Sequence, residues 1–410
     1  MKKTLKILCL ILAAVLCLML AGCQKEEPKP AATEVPKATD VPEVTEATEA
    51  SGSDAASDTQ EAAESAEVPE TDAVNHAADP KSFNGQVLNV YNWGEYIDKE
   101  VLTGFEKEYG VKVNYSLFSS NEEMYTKLLS GASYDVLVPS DYMIERLLKE
   151  KQLQPLDRGV VNNLDSLVDG VKNLSYDPDN TWSVPYLWQT VGIVYDKTKI
   201  DPAKIEEKGW DIFQDAEYDG HAYMYDSERD SFMVAFKALG YSTNTENKDE
   251  IQAAYEWLRT MDKTIHPSYV TDEVIDSMAN GEKWLALVYS GDAAYILNEN
   301  ENMGYCTPKQ GTNIAVDAMV IPANAANPAL ANEFIRYITE YENSKMISTE
   351  VGYASPNAKV LEELSGPGGD YEGNDAYIPR SGYDKDEMFH DNETLKKTLS
   401  ELWIKVKLHE

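Results

Sequence analysis

Basic charge is scarce in this sequence: its 410 residues carry 36 Lys and Arg against 71 Asp and Glu, a formal net charge of −35. A nucleic-acid partner requires basic stripes that displace phosphate counterions, so the deficit excludes one. Cysteine is scarce too. Cys9, Cys17, Cys23 and Cys306 are the only four, too few and too unevenly placed for a disulfide scaffold. The histidines His76, His221, His266, His390 and His409 show no paired spacing, so no metal site is expected. Walker loops, Gly-x-Ser-x-Gly and Cys/His pairings are all missing, which removes the common nucleophile and phosphate-loop chemistries; no cofactor is expected. Past the first twenty residues no apolar run approaches the length of a membrane span. What is present is 43% hydrophobic and 10% aromatic residues, enough to exclude a wholly disordered chain and to furnish two domains.

The first eighty residues divide in two. Lys2, Lys3 and Lys6 precede an apolar run from Ile7 to Leu20, the layout of a secretory signal. It ends in Leu20-Ala21-Gly22-Cys23, which resembles the lipobox of bacterial lipoproteins and implies a signal over residues 1–22 with Cys23 as the lipidated first residue. Cys9 and Cys17 would leave with the signal, and Cys306 would remain as an ordinary thiol. Residues 24–80 contain no Phe, Trp or Tyr, and 15 Asp and Glu against 3 Lys. Such a segment cannot bury enough apolar area to fold and is expected to be a disordered acidic tether, with a reach on the order of 40 Å. The expectation is a protein held by lipid at the outer face of the cell membrane.

From residue 81 the hydrophobic period alternates between strand and helix. Val87–Asn92 and Lys112–Phe118 read as strands, with a helix over Lys99–Tyr109 closed by Gly110 between them. Ser120-Asn121-Glu122-Glu123 has the capping-box pattern of a helix start, and Tyr134–Val138 is a short apolar strand leading to a helix from Ser140. A second set holds strands at Val191–Tyr195, Leu285–Tyr289 and Val316–Ile321. Its helices are Phe232–Leu239, Ile251–Leu258 and, after Asn327-Pro328, Ala329–Thr339. The reading is two α/β lobes, each with a mostly parallel sheet covered on both faces.

Open α/β sheets bind ligands beyond the carboxyl ends of their strands. At those ends stand Asn92-Trp93-Gly94-Glu95-Tyr96, Pro139-Ser140-Asp141-Tyr142, Tyr225-Asp226-Ser227-Glu228-Arg229-Asp230 and Tyr289-Ser290-Gly291-Asp292, with Tyr353 in a later loop. The recurring motif is an aromatic beside a carboxylate. Carboxylates fix ammonium groups by charge-assisted hydrogen bonds, and aromatic faces accept methylenes and cations. A linear polyamine needs both in one slot. Taken singly, Trp93, Tyr142 or Tyr289 fits core packing at least as well; Ser140 fits a helix cap, and Asp292 a charge at a helix N-terminus. Asp317 is harder to dismiss, because a carboxylate inside an apolar strand is costly unless paired.

At these residues the sequence resembles the spermidine/putrescine-binding receptors of bacterial ABC transporters, over about residues 85 to 400. Matching stretches are Tyr91-Asn92-Trp93-Gly94-Glu95-Tyr96-Ile97, Ser120-Asn121-Glu122-Glu123-Met124-Tyr125, Val138-Pro139-Ser140, Ser183-Val184-Pro185-Tyr186, Ile321-Pro322-Ala323-Asn324-Ala325, and Gly352-Tyr353 with Ser355-Pro356-Asn357. The resemblance implies an α/β, two-lobed periplasmic-binding-protein-like (type II) fold with hinge strands between lobes. Residues 81–189 plus 315–360 would form one lobe and 190–314 plus 361–410 the other. It implies a monomeric, non-enzymatic receptor that delivers putrescine or spermidine to an ABC permease in the membrane. By motif position Trp93 and Tyr96 would wall the slot and Glu95 would take an ammonium group. Ser140 and Tyr142 would contribute from the first lobe. Asp230 and Asp292 would supply charge from the second, Tyr289 would stack, Asp317 would be the central carboxylate and Tyr353 a further contact. Ala315 departs from the family, which usually has Trp or Phe there, and Ser227 replaces an acid. The lost stack costs about 1–2 kcal/mol, roughly tenfold in affinity. Gly94 also replaces a hydroxyl residue of some members. Alternatives on the same residues are another cationic ligand, a sensor role, or, from a different class, a glycan hydrolase using paired acids.

Overall fold

Val87–Trp93 (β1), apolar or aromatic except at Asn89 and Asn92, and Lys112–Phe118 (β2), where polar and apolar residues largely alternate, form a parallel pair in register from Val87 opposite Lys112 to Trp93 opposite Phe118. The Lys99–Tyr109 helix that connects them starts at Asp98, whose side chain accepts from the Glu100 N–H, and stops at Gly110 in the left-handed conformation. The computed structural model describes residues 78–409, all within one compact unit, Pro69–Glu410. The signal, Cys23 and nearly all of the tether lie outside the described residues. At their start, Ala78 N–H donates to Glu333 Oε1 at 2.9 Å.

The remaining strands are Val136–Leu137 (β3), Leu153–Gln154 (β4), Ser183–Asp196 (β5), Ala222–Tyr225 (β6), Ser268–Val270 (β7), Leu285–Tyr289 (β8), Met303–Cys306 (β9) and Ile314–Pro322 (β10). They form one path, β2-β1-β3-β10-β5-β8-β6-β7, with β4 on β10 and β9 on β5. Parallel pairing holds at each end (β1 with β2 and β3, β6 with β7 and β8), but the middle is antiparallel, where β10 pairs β3 and β5, and β5 pairs β8. The mostly parallel expectation is thus corrected to a mixed sheet. The reason is that β5 and β10 run in opposite directions between the two parallel halves and join them. β5 extends over fourteen residues, well beyond Val191–Tyr195, and all but Gln189 are buried, so both faces of the strand are covered.

Two separate cores flank this junction. On one side, Val90, Val138, Leu187, Met319, Phe334 and Tyr353 lie in a cluster on one face of the β1–β3–β10 region, and Tyr91, Leu137 and Val320 pack on the other face. On the other, Ile193, Trp210, Phe232, Leu287, Val360 and Trp403 share a single large cluster. The molecule is a two-lobed α/β protein in which β5 contributes residues to both cores and β10 runs antiparallel beside it.

Candidate functional site

Asp317 sits within β10 and is 4% exposed. The pairing of β10 with β5 slips there: Asp317 faces Leu187, while Ala318 faces Pro185, leaving Tyr186 as an extra residue. A β-bulge of this kind re-aims side chains beside it. Tyr186 Oη donates to the Tyr96 carbonyl at 2.5 Å, and its ring meets the Tyr96 ring edge-on at 5.6 Å. Tyr96 in turn donates its hydroxyl to Asp317 Oδ2 at 2.7 Å, and Ser140 Oγ donates to Oδ1 at 2.6 Å. Ser140 precedes the Asp141–Lys149 helix but makes no capping bond with its side chain; its hydroxyl instead donates to Asp317 and accepts from Asn121. Asn121 Nδ2 supports both Ser140 Oγ (3.1 Å) and Tyr142 Oη (3.0 Å).

A second set lies at the carboxyl ends of β6 and β8. Tyr353 Oη donates to Asp292 Oδ1 at 2.9 Å and Tyr225 Oη to Oδ2 at 3.3 Å. Asp230 Oδ2 accepts from Tyr289 Oη at 2.8 Å and from Ser227 Oγ at 2.6 Å. The Tyr225 and Tyr289 rings stack at 4.4 Å, and Tyr353 bridges the two sets by meeting Tyr96 edge-on at 5.1 Å. Gly291 allows this approach: a Cβ there would fall 2.1 Å from the Tyr353 ring.

Asp317, Asp292, Asp230 and the neighbouring buried Asp141 have no ion-pair partner among the described residues. Asp141 accepts instead from the Val316 N–H at 3.2 Å. Burial pushes Asp317 up to about 6, with the Ser140 and Tyr96 bonds opposing it. Burial likewise raises Asp292 to about 7 and Asp141 to about 7, and it shifts Asp230 upward from its ordinary value against the opposing Ser227 and Tyr289 bonds. Burial and the adjacent acids hold the Tyr96 and Tyr353 hydroxyls well above their ordinary value, so both remain protonated donors at neutral pH. The arrangement is a row of desolvated acids held by neutral hydroxyls, with spare acceptor capacity and aromatic walls. It fits a multiply charged, partly apolar cation.

Of the residues singled out from sequence, Tyr96, Ser140, Asp317, Tyr353, Asp292, Asp230 and Tyr289 are brought into this network. Tyr142 joins it through Asn121, with the Arg229 guanidinium 3.9 Å over its ring. Trp93 stands at the end of β1, its Nε1 donating to the Val138 carbonyl at 2.9 Å and its ring 4.5 Å from Phe118. Glu95 is not brought in. It is exposed on the turn after β1, with a left-handed backbone at φ 46°. Sequence reasoning assigned no site role to Tyr225, Asn121, Tyr186 or Arg229. Tyr225 carried the same signal as the others, the last position of a strand; Asn121 was legible only as part of a helix cap. Nothing local marked Tyr186 as a bulge. Among the described residues no group of His, Cys, Asp and Glu could hold a metal ion, and no helix is long and apolar enough to cross a membrane.

A family model described as bacterial extracellular solute-binding protein matches residues 100–372. The spermidine/putrescine-binding periplasmic protein of Salmonella typhimurium is 33% identical over 292 residues, 71% of this chain and 82% of that protein. A putrescine/cadaverine-binding protein of Pseudomonas aeruginosa is 29% identical, over 67% and 80%. Among solved structures, a spermidine/putrescine ABC transporter protein from Listeria monocytogenes superposes with a TM-score of 0.71 at 36% identity, covering 79% of this chain and 99% of that one. The substrate-binding protein of a spermidine/putrescine ABC transporter from Streptococcus pneumoniae gives 0.69 at 33%, covering 79% and 99%. These are transport binding proteins of the two-lobed type II fold, not enzymes. With the match extending over two thirds of its length, the chain belongs to the family of bacterial extracellular solute-binding proteins.

Proposed function

We propose that the chain is a receptor that captures a polyamine, putrescine or spermidine, outside the cell and hands it to an ABC permease. The observation that carries this reading is the set Asp317, Asp292 and Asp230, three acids withdrawn from water and bonded to hydroxyls alone. Buried carboxylates without counter-ions are costly, and an ammonium ligand removes that cost. In this reading Asp317 fixes one ammonium and the Asp230–Asp292 side another. Tyr96, Tyr289, Tyr353 and Trp93 line the methylenes between them, with Ser140 and Tyr142 positioning from the first lobe. Glu95 acts from the rim.

The lobes close over the ligand as rigid bodies about β5, β10 and a third crossing between Tyr353, packed in the first core, and Val360, packed in the second. The working unit is a monomer held at the outer membrane face through lipid on Cys23. Calorimetric titration of the full chain with putrescine, cadaverine, spermidine and spermine tests the ligand, the expected result being micromolar or tighter binding, about −8 kcal/mol, to at least one. Silence with all four removes the polyamine assignment. For the anchor, Cys23→Ala is expected to move the protein from the membrane fraction to the medium; retention at the membrane would overturn it.

A further inference from the structure

Gln189 occupies a position on β5 that the function above does not use. Its Oε1 is buried and has no hydrogen-bond partner among the described residues. A buried amide oxygen left without a partner is unusual in a folded protein, because it forfeits its bond to water.

The strand register shows what this oxygen borders. Alternate residues of a strand share a face, and directly opposed residues of neighbouring strands share it too. Leu187 is opposite Asp317, Gln189 is opposite Ala315, and Val191 is opposite Tyr289 on the other neighbouring strand. The bulge lies at Tyr186, outside this stretch, so the alternation from Leu187 to Val191 is unbroken. Gln189 therefore lies on the face of Asp317 and Tyr289, midway between them, about 7 Å along the strand from either row. Tyr289 is the residue that bonds Asp230. The opposing residue, Ala315, is too small to cover the amide; a large aromatic there would do so.

We propose that Gln189 is a ligand-binding residue in the middle of the slot, its Oε1 accepting a hydrogen bond from an interior nitrogen of the bound cation. The inference rests on the polyamine reading and adds to it a preference. A triamine places a protonated secondary amine in its interior, whereas a diamine places only methylenes there. An acceptor at mid-slot is satisfied by the first and left unpaired by the second, so Gln189 favours a polyamine with an internal nitrogen. It substitutes a polar contact for the aromatic wall that Ala315 does not supply.

The test titrates the full chain and its Gln189→Met variant with spermidine and putrescine. Methionine keeps the length and volume of the side chain and removes the acceptor. The expected result is a loss of about tenfold or more for spermidine with putrescine changed by no more than about threefold. Gln189→Glu, which keeps an acceptor, is expected to retain tight spermidine binding, and ligand-free Gln189→Met to melt at or above the temperature of the parent. An unchanged spermidine-to-putrescine ratio in Gln189→Met, with the parent binding both, overturns this role alone. Failure of the parent to bind any polyamine overturns the polyamine reading and this role with it.

Discussion

At the scale of single residues, Asp317 is the group on which the site turns. Two hydroxyls donate to it and no base pairs with it, so replacing it with a neutral amide removes the charge that an ammonium would meet. Asp317→Asn is expected to weaken polyamine binding by about 2–3 kcal/mol, about 30- to 150-fold, measured by calorimetry. Glu95→Gln, on an exposed turn, is expected to cost less than about tenfold, since exposed charge pairs contribute little; a larger loss would place Glu95 inside the closed slot. The pH dependence follows from Asp317 at about 6 and Asp292 at about 7. Both are raised above the unfolded value, so the ligand-free fold loses stability as pH rises from about 4 through 7. A cation binds the ionised forms, so affinity is expected to rise over the same window and level off above it. Binding at pH 6 is then accompanied by proton release, visible as a heat that depends on the buffer's ionisation enthalpy. Affinity independent of pH between 5 and 8 would contradict this.

At the scale of elements, two local devices aim the side chains. The bulge at Tyr186 braces Tyr96 against Asp317, and Gly291, in the first turn of the Ser290–Glu299 helix, lets Tyr353 lie close enough to reach Asp292. A methyl at Gly291 would overlap the Tyr353 ring, so Gly291→Ala is expected to lower stability by about 1–3 kcal/mol in thermal unfolding and to weaken binding as well. Element-level reading recovered β1, β2, the helix between them, β8 and most of β10, because their periods are long and their punctuation is clear. It gave β5 as five residues instead of fourteen. A continuous apolar run carries no alternation to mark where it begins.

At the scale of the whole molecule, ion pairs border the proposed slot. Lys396 pairs with Glu122 at 2.9 Å, Arg146 with Glu393 at 2.9 Å and Lys149 with Asp391 at 3.3 Å. These join helices of the first half to the segment that enters the C-terminal Glu393–Lys407 helix. Glu387, just before that segment, is fixed to the second half by Lys237 Nζ at 2.8 Å and the Thr243 N–H at 2.7 Å. Glu122 also accepts weakly from Tyr142 Oη at 3.4 Å, which links this border to the slot wall. Each pair is partly exposed and worth at most about 1 kcal/mol. Lys396→Gln is therefore expected to speed ligand release by a fewfold in stopped-flow measurements, with little change in the rate of capture. Identical release rates would show that the pairs do not hold the closed arrangement.

The sequence by itself determined the α/β class and the resemblance to polyamine receptors, and it marked most of the acids and tyrosines that the structure gathers into one hydrogen-bonded network. It could do so because side chains at strand ends in open α/β sheets converge, and because a carboxylate such as Asp317 within an apolar strand needs a partner, which Tyr96 and Ser140 supply. Tertiary structure alone decided which of those residues act together. Tyr96 and Asp317 are 221 positions apart and Tyr353 and Asp292 are 61, so no local pattern pairs them. The antiparallel joint between β5 and β10, the bulge at Tyr186 and the exposure of Glu95 likewise depend on how distant strands meet, and that is set by packing across the fold, not by any one segment.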